Sequence, residues 1–219
     1  MPITEKAIEF LYENRFRNNK EWYDSHKPDY NEYVRSPLRD MIDKLTPTML
    51  EIDSQLMGSM SRVRRDTRFT HDKSMYRENM WIVFQRDSRT NTILPAFFFD
   101  FSPHGFSYGC GYYTLTSDRL EAMRKLILRD DKTFIEAQNA FENQSVFIFE
   151  GESYKRDHYP NESDVKRNWL NRKNFDFTHR SDDFDLLFSD ELTDKIANDF
   201  KLLTTIYNFF ATAESQILH

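Results

Sequence analysis

The spacing of apolar residues changes period along the chain, and the changes mark its elements. Ala7, Ile8 and Leu11 share one face of a short helix over 4–14, which Thr4 can cap. Asn18 or Asn19 can cap the next turn, which carries Trp22 and Tyr23. Tyr33, Val34, Pro37, Leu38, Met41, Ile42 and Leu45 then form a helical stripe. Ser36-Pro37 either splits or kinks that segment. Pro47 is expected to end it or to open a further short helix through Leu56, before Gly58 breaks the pattern.

Beyond residue 80 the period becomes that of strands. Runs at 81–84 and 96–101 are apolar, and Ser102-Pro-His-Gly105 supplies a turn. Phe106, Tyr108, Cys110 and Tyr112 alternate with Ser107, Gly109 and Gly111, giving a strand with a large and a small face. The small face admits a helix, or alternatively a ligand, close to the backbone. Helical spacing returns at Leu120, Met123 and Ile127, capped by Ser117 or Asp118, and again at Phe134, Ala137 and Phe141. A strand at 146–149, a charged helix over 162–173 and a strand at 175–179 follow. Leu192, Ile196, Phe200, Leu203, Tyr207 and Phe210 mark a long terminal helix. The pattern predicts an α+β fold in a single domain over 1–219. Its sheet is mainly antiparallel, helices pack on one face, and the C-terminal helix is long.

Composition adds an aromatic-rich core, with twenty Phe, eleven Tyr and three Trp among 219 residues. A single Cys excludes an intrachain disulfide and any multi-cysteine metal site, and fits a cytoplasmic location. No secretory leader and no apolar run of membrane-spanning length is visible, so no membrane association is expected. The chain carries a net charge of −6, which argues against a general nucleic-acid coat while permitting a local basic groove.

One stretch opposes that charge. Residues 62–81 hold Arg62, Arg64, Arg65, Arg68, Lys73 and Arg77 against Asp66, Asp72 and Glu78. Three readings fit. The stretch is a structural ion-pair network; or its arginine forks and lysine hold an anion; or Arg62, Arg64, Arg65, Arg68 and Arg77 form a nucleic-acid groove with Phe69, Tyr76 and Trp81 as stacking platforms. In the first reading Glu21 or Asp24 can supply the missing negative charge. Signs of catalysis are sparse. The six histidines show no metal-ligand spacing, although His71 stands among charges that can tune it as an acid or base. Cys110 lies on an apolar strand face, and no phosphate-binding glycine loop or nucleophile elbow is present.

Asn18-Asn-Lys-Glu-Trp-Tyr-Asp-Ser-His-Lys27, together with Arg65-Asp-Thr-Arg-Phe-Thr-His-Asp-Lys73 and Tyr76, resembles the DUF2461 family of uncharacterised proteins. Gly109, Gly111-Tyr-Tyr113, Leu120, Arg124, Tyr154-Lys-Arg156, Leu170 and Arg172-Lys173 follow in the family's order. His71 stands where Lys is usual, Met75 where Pro is usual and Arg77 where Lys is usual. The resemblance implies no activity and names no cofactor. The leading expectation is a cytoplasmic domain that binds a small anionic, phosphorylated ligand. Arg62, Arg65, Arg68, Lys73 and Arg77 would carry charge, Tyr76 would orient the ligand, and Asp66 and Asp72 would position the forks. The family position of Tyr154-Lys-Arg adds Lys155 and Arg156. The alternative is a non-catalytic interaction or scaffold domain in which the motif is an internal lock.

Overall fold

The computed structural model describes residues 1–68, 71–86 and 94–217. Helix α1 (Glu5–Arg17) buries Ala7, Phe10, Leu11 and Asn14, and ends where Asn18 turns left-handed at φ 47°. Thr4 occupies the N-cap position without a side-chain bond. Asn19 caps α2 (Lys20–Ser25) by accepting from the Trp22 amide at 2.9 Å. The short helix α3 (Lys27–Asp29) leads through a π-helical segment (Tyr30–Arg35) into α4 (Ser36–Ile52). Ser36-Pro37 thus stands where the π-helical segment gives way to α4, with the proline in the first turn of α4. The wider turn before it takes up the loss of an amide donor, and the Ser36 hydroxyl donates to the Asn31 carbonyl at 2.7 Å.

Pro47 also lies inside α4 rather than ending it. It is exposed, so water can satisfy the carbonyl it leaves without a donor. Gly58 belongs to a short strand, β1 (Met57–Met60), which the helical and turn signals did not reveal.

Strand β2 (Met80–Gln85) and strand β3 (Ala96–Ser102) each alternate buried with half-buried residues. Met80, Ile82, Phe84, Phe97, Phe99 and Phe101 face the core. Strand β4 (Gly105–Gly111) is buried throughout. Helices α5 (Ser117–Leu128) and α6 (Lys132–Glu142) follow, with Thr116 rather than Ser117 or Asp118 at the first cap position. Strand β5 (Ile148–Glu150), helix α7 (Asp164–Leu170), strand β6 (Asp176–Ser181) and helix α8 (Phe184–Leu187) come next. The terminal stripe lies on two helical segments, α9 (Leu192–Leu202) and α10 (Thr204–Ser215), which meet at Leu203. The fold is α+β, with a six-stranded antiparallel sheet in the order β1-β2-β3-β4-β6-β5.

The chain's internal contacts gather into two compact units. The first comprises Met1–Phe84, Phe98–Tyr108 and Arg180–Ala197; the second comprises Gln85–Phe97, Gly109–His179 and Asn198–His219. In the second unit α10 lies on strand residues through Phe210, which meets Tyr112, Phe175 and Phe177. Phe149 stacks on Phe177 at 4.5 Å, beside Trp169. Glu214 is buried yet satisfied on one oxygen by the Tyr112 hydroxyl and Arg119 Nε, both at 2.8 Å, so its charge is paired. The small face of β4 is approached by strand backbone rather than by a helix. A Cβ on Gly109 would lie 2.0 Å from the Phe177 carbonyl oxygen, and one on Gly111 would lie 2.5 Å from that of Phe175.

Candidate functional site

The basic stretch is a long excursion between β1 and β2, within the first unit. Its two arms run antiparallel. The Ser61 amide donates to Trp81, Arg77 to Val63 and Arg65 to Met75, at 2.9, 2.9 and 2.8 Å. Arg64 and Tyr76 pair between those bonds. Val63 and Tyr76 are both buried, whereas Arg64, the cross-strand partner of Tyr76, is exposed.

The inward arm rests on α1 and α2. Asn18 Oδ1 accepts from the Met75 amide at 2.6 Å. The Tyr76 ring stacks on Tyr23, with centroids 5.1 Å apart. Burial raises the hydroxyl pKa of both tyrosines. Arg15 donates to the Tyr76 carbonyl at 3.0 Å and to Asp72 Oδ2 at 2.6 Å. The same carboxylate oxygen takes Arg65, while Asp72 Oδ1 accepts from the Ser74 amide and hydroxyl at 2.9 and 2.7 Å. Arg15, the two Ser74 donors and Arg65 hold the Asp72 carboxyl far below the usual carboxylate range.

The outward end is a cleft of about 480 Å³ lined by Arg62, Arg64, Arg65, Asp66, Thr67, Arg68 and Arg77. Arg68 grips Asp66 as a fork, Nε to Oδ1 at 2.9 Å and Nη2 to Oδ2 at 2.6 Å. That fork, with the Arg68 amide, lowers the Asp66 pKa to about 2. The Arg77 guanidinium lies 4.5 Å above the Trp81 ring. No carboxylate among the described residues pairs with Arg62 or Arg64, and both are exposed.

The structure thus separates the sequence candidates. Arg62, Arg65, Asp66, Arg68 and Arg77 share the cleft, joined by Arg64 and Thr67. Asp72 is bound into the lock beneath it. Lys73 donates to the Thr67 carbonyl at 2.9 Å and so closes the loop. Tyr76 is buried and does not line the cleft, so it has no surface with which to orient a ligand there. Asp24 pairs with Lys20 at 2.7 Å; what the N-terminal region brings to the stretch is a further cation, Arg15, which shares Asp72 with Arg65. Of the three stacking platforms, Tyr76 is buried, Trp81 is covered by Arg77, and Phe69 lies outside the described residues. His71 is exposed.

Lys155 and Arg156 belong to the second unit and are exposed there. Their neighbourhood is organised by Arg124. It donates to the carbonyls of Leu170 and Arg172 at 3.0 and 3.2 Å, and its guanidinium lies 5.2 Å from the Tyr154 ring centre. The Tyr154 amide donates to Asn171 and the Lys173 amide to Glu152, at 2.8 and 2.7 Å. Arg172 donates to the Gly151 carbonyl at 2.9 Å over the Phe149 ring. Burial lowers its pKa.

The molecule is an α+β protein whose most charged feature is an arginine-lined cleft held on a helical corner. The chain belongs to the family described as conserved hypothetical protein (DUF2461), whose model matches residues 6–209. No curated protein matches the chain. Both parts of the motif that carries the resemblance meet in the first unit, through Asn18 with Met75 and Tyr23 with Tyr76.

Proposed function

We propose that the cleft binds a small phosphorylated ligand in the cytoplasm. The observation that carries this is the charge of the lining: five arginines against one aspartate. Asp66 answers Arg68, and Asp72 answers Arg65 from below. Arg62 and Arg64 remain exposed and answered by no carboxylate among the described residues. Guanidinium groups match phosphate oxygens in pairs, and Thr67 adds a hydroxyl. The lining carries no aromatic platform among the described residues, which favours recognition of phosphate groups over bases.

A second reading has its own support. Arg15, Asp72, Arg65 and the Asn18–Met75 bond form a lock that would exist in a scaffold or interaction domain without any ligand. The two readings make different demands on different arginines. Thermal shift against phosphate, sugar phosphates, nucleotides, carboxylates and short oligonucleotides separates them. A ligand at a hundredfold excess over its dissociation constant adds about 2.7 kcal/mol of stability. The Arg62→Ala/Arg64→Ala protein is expected to keep its melting temperature and lose the shift. No shift from any class in the wild type would leave only the lock.

A further inference from the structure

A second cavity, of about 310 Å³, opens between α1 and the π-helical segment. Its walls are aromatic. Phe10, Trp22 and Tyr33 line it, and His26 stacks on Trp22 with ring centres 4.1 Å apart and planes 13° from parallel. Its rim is acidic. Glu13 is neutralised by Arg17 at 2.6 Å, whereas Glu9 and Asp29 have no ion-pair partner among the described residues.

One cation already lies in it. The Lys6 ammonium is 4.7 Å from the centre of the Tyr33 ring and makes no ion pair among the described residues. An ammonium that rests on a ring face beside two unpaired carboxylates reports what the cavity attracts. His26 adds an acceptor. Its Nδ1 lies 2.8 Å from the Trp22 carbonyl oxygen, so the neutral ring carries its proton there and keeps a lone pair on Nε2. The wall that carries Tyr33 is the one π-helical segment among the described residues, a type of turn often found where a helix is adapted to a ligand.

We propose that this cavity binds the primary alkylammonium group of a small molecule. The aromatic faces take the charge and the alkyl chain, and Glu9, Asp29 and His26 supply acceptors for the N–H donors. Lys6 is then an internal competitor that the ligand displaces from Tyr33. The site is separate in its residues from the arginine cleft and does not depend on the reading given for it.

The test is an NMR titration of the indole N–H signals in 150 mM salt, with the Trp22 signal assigned by Trp22→Phe. The probes are n-butylammonium, tetramethylammonium and 1-butanol. Saturable movement of the Trp22 signal is expected with n-butylammonium, and weaker binding of the other two. Lys6→Met should tighten binding. Glu9→Gln and Asp29→Asn should each weaken it about fivefold, the value of one charge at contact distance in water. Lys6 and Glu9 are exposed and Asp29 is half-buried, so the unchanged signal of Trp81, which belongs to the same unit, verifies folding. The proposal is overturned if n-butylammonium leaves the Trp22 signal in place. It is equally overturned if butanol or tetramethylammonium binds as well, or if neither carboxylate substitution weakens binding.

Discussion

Asp72 joins three segments with one carboxylate. Arg15 comes from α1, Arg65 from the outgoing arm and Ser74 from the returning one. Arg65 is 19% exposed and Arg68 is 76% exposed. The Asp72 lock therefore sits in a drier setting than the Asp66–Arg68 fork, and an exposed pair contributes little to stability. Both carboxyls have folded values below the ordinary 3.8. A depressed carboxylate stabilises the fold above its unfolded value, and that contribution disappears as pH falls through the folded value. Stability should therefore decline from about pH 4 downward. Urea unfolding of Asp72→Asn should show a shallower acid limb than wild type. An identical pH slope in the two proteins would remove Asp72 from the lock. The charge excess at 62–77 was legible in the sequence because its residues stand together, but the pairing was not: adjacency suggests Arg65 with Asp66 and Lys73 with Asp72, whereas Asp66 takes Arg68 and Asp72 takes Arg65. Arg15 was not legible either, because its partner lies 57 positions away and no local spacing links them.

At the level of elements, Asn18 connects the helical corner to the excursion. It ends α1 in the left-handed region and accepts from Met75. The two roles can be separated. Asn18→Gly keeps the backbone conformation and leaves the Met75 amide without its partner, at about 1 kcal/mol. Asn18→Ala adds the steric cost of a left-handed alanine, for about 2 kcal/mol in all. Equal denaturation midpoints for the two variants would show that the conformation is not constrained. Met75 matters here because its amide is a donor, which a proline at that position would lack. Helical stripes and the alternation of β4 were readable from spacing. The alternation of β2 and β3 was hidden, because apolar side chains such as Trp81, Val83 and Phe98 also occupy the half-buried face. Pro47 misled because a proline usually ends a helix, whereas here it lies on the exposed face of α4, where water can reach the carbonyl it leaves without a donor. Gly109→Ala should cost about 1–3 kcal/mol by forcing β4 off Phe177. A mutant with wild-type stability would mean that the strands do not approach as closely as described.

For the whole molecule, a local excess of arginine stands within a net charge of −6. For the proposed anion site, that balance predicts selection by size. A long polyanion meets the repulsive field of the entire chain, whereas a small phosphate compound meets chiefly the cleft. Binding should weaken as salt rises, since the cleft is open and the Debye length is about 8 Å at physiological ionic strength. None of the described helices is long and apolar enough to cross a membrane. The fold class followed from the order of periods along the sequence. The meeting of the Asn18–Lys27 and Arg65–Tyr76 segments did not, because it is made by side-chain bonds across that separation. The most direct measurement follows the arginine Nε–H signals during titration with pyrophosphate at constant ionic strength. Saturable shifts of Arg62 and Arg64, with Arg15 unmoved, are the predicted result. Signals of Arg62 and Arg64 that stay in place while pyrophosphate is added would contradict an anion site in the cleft.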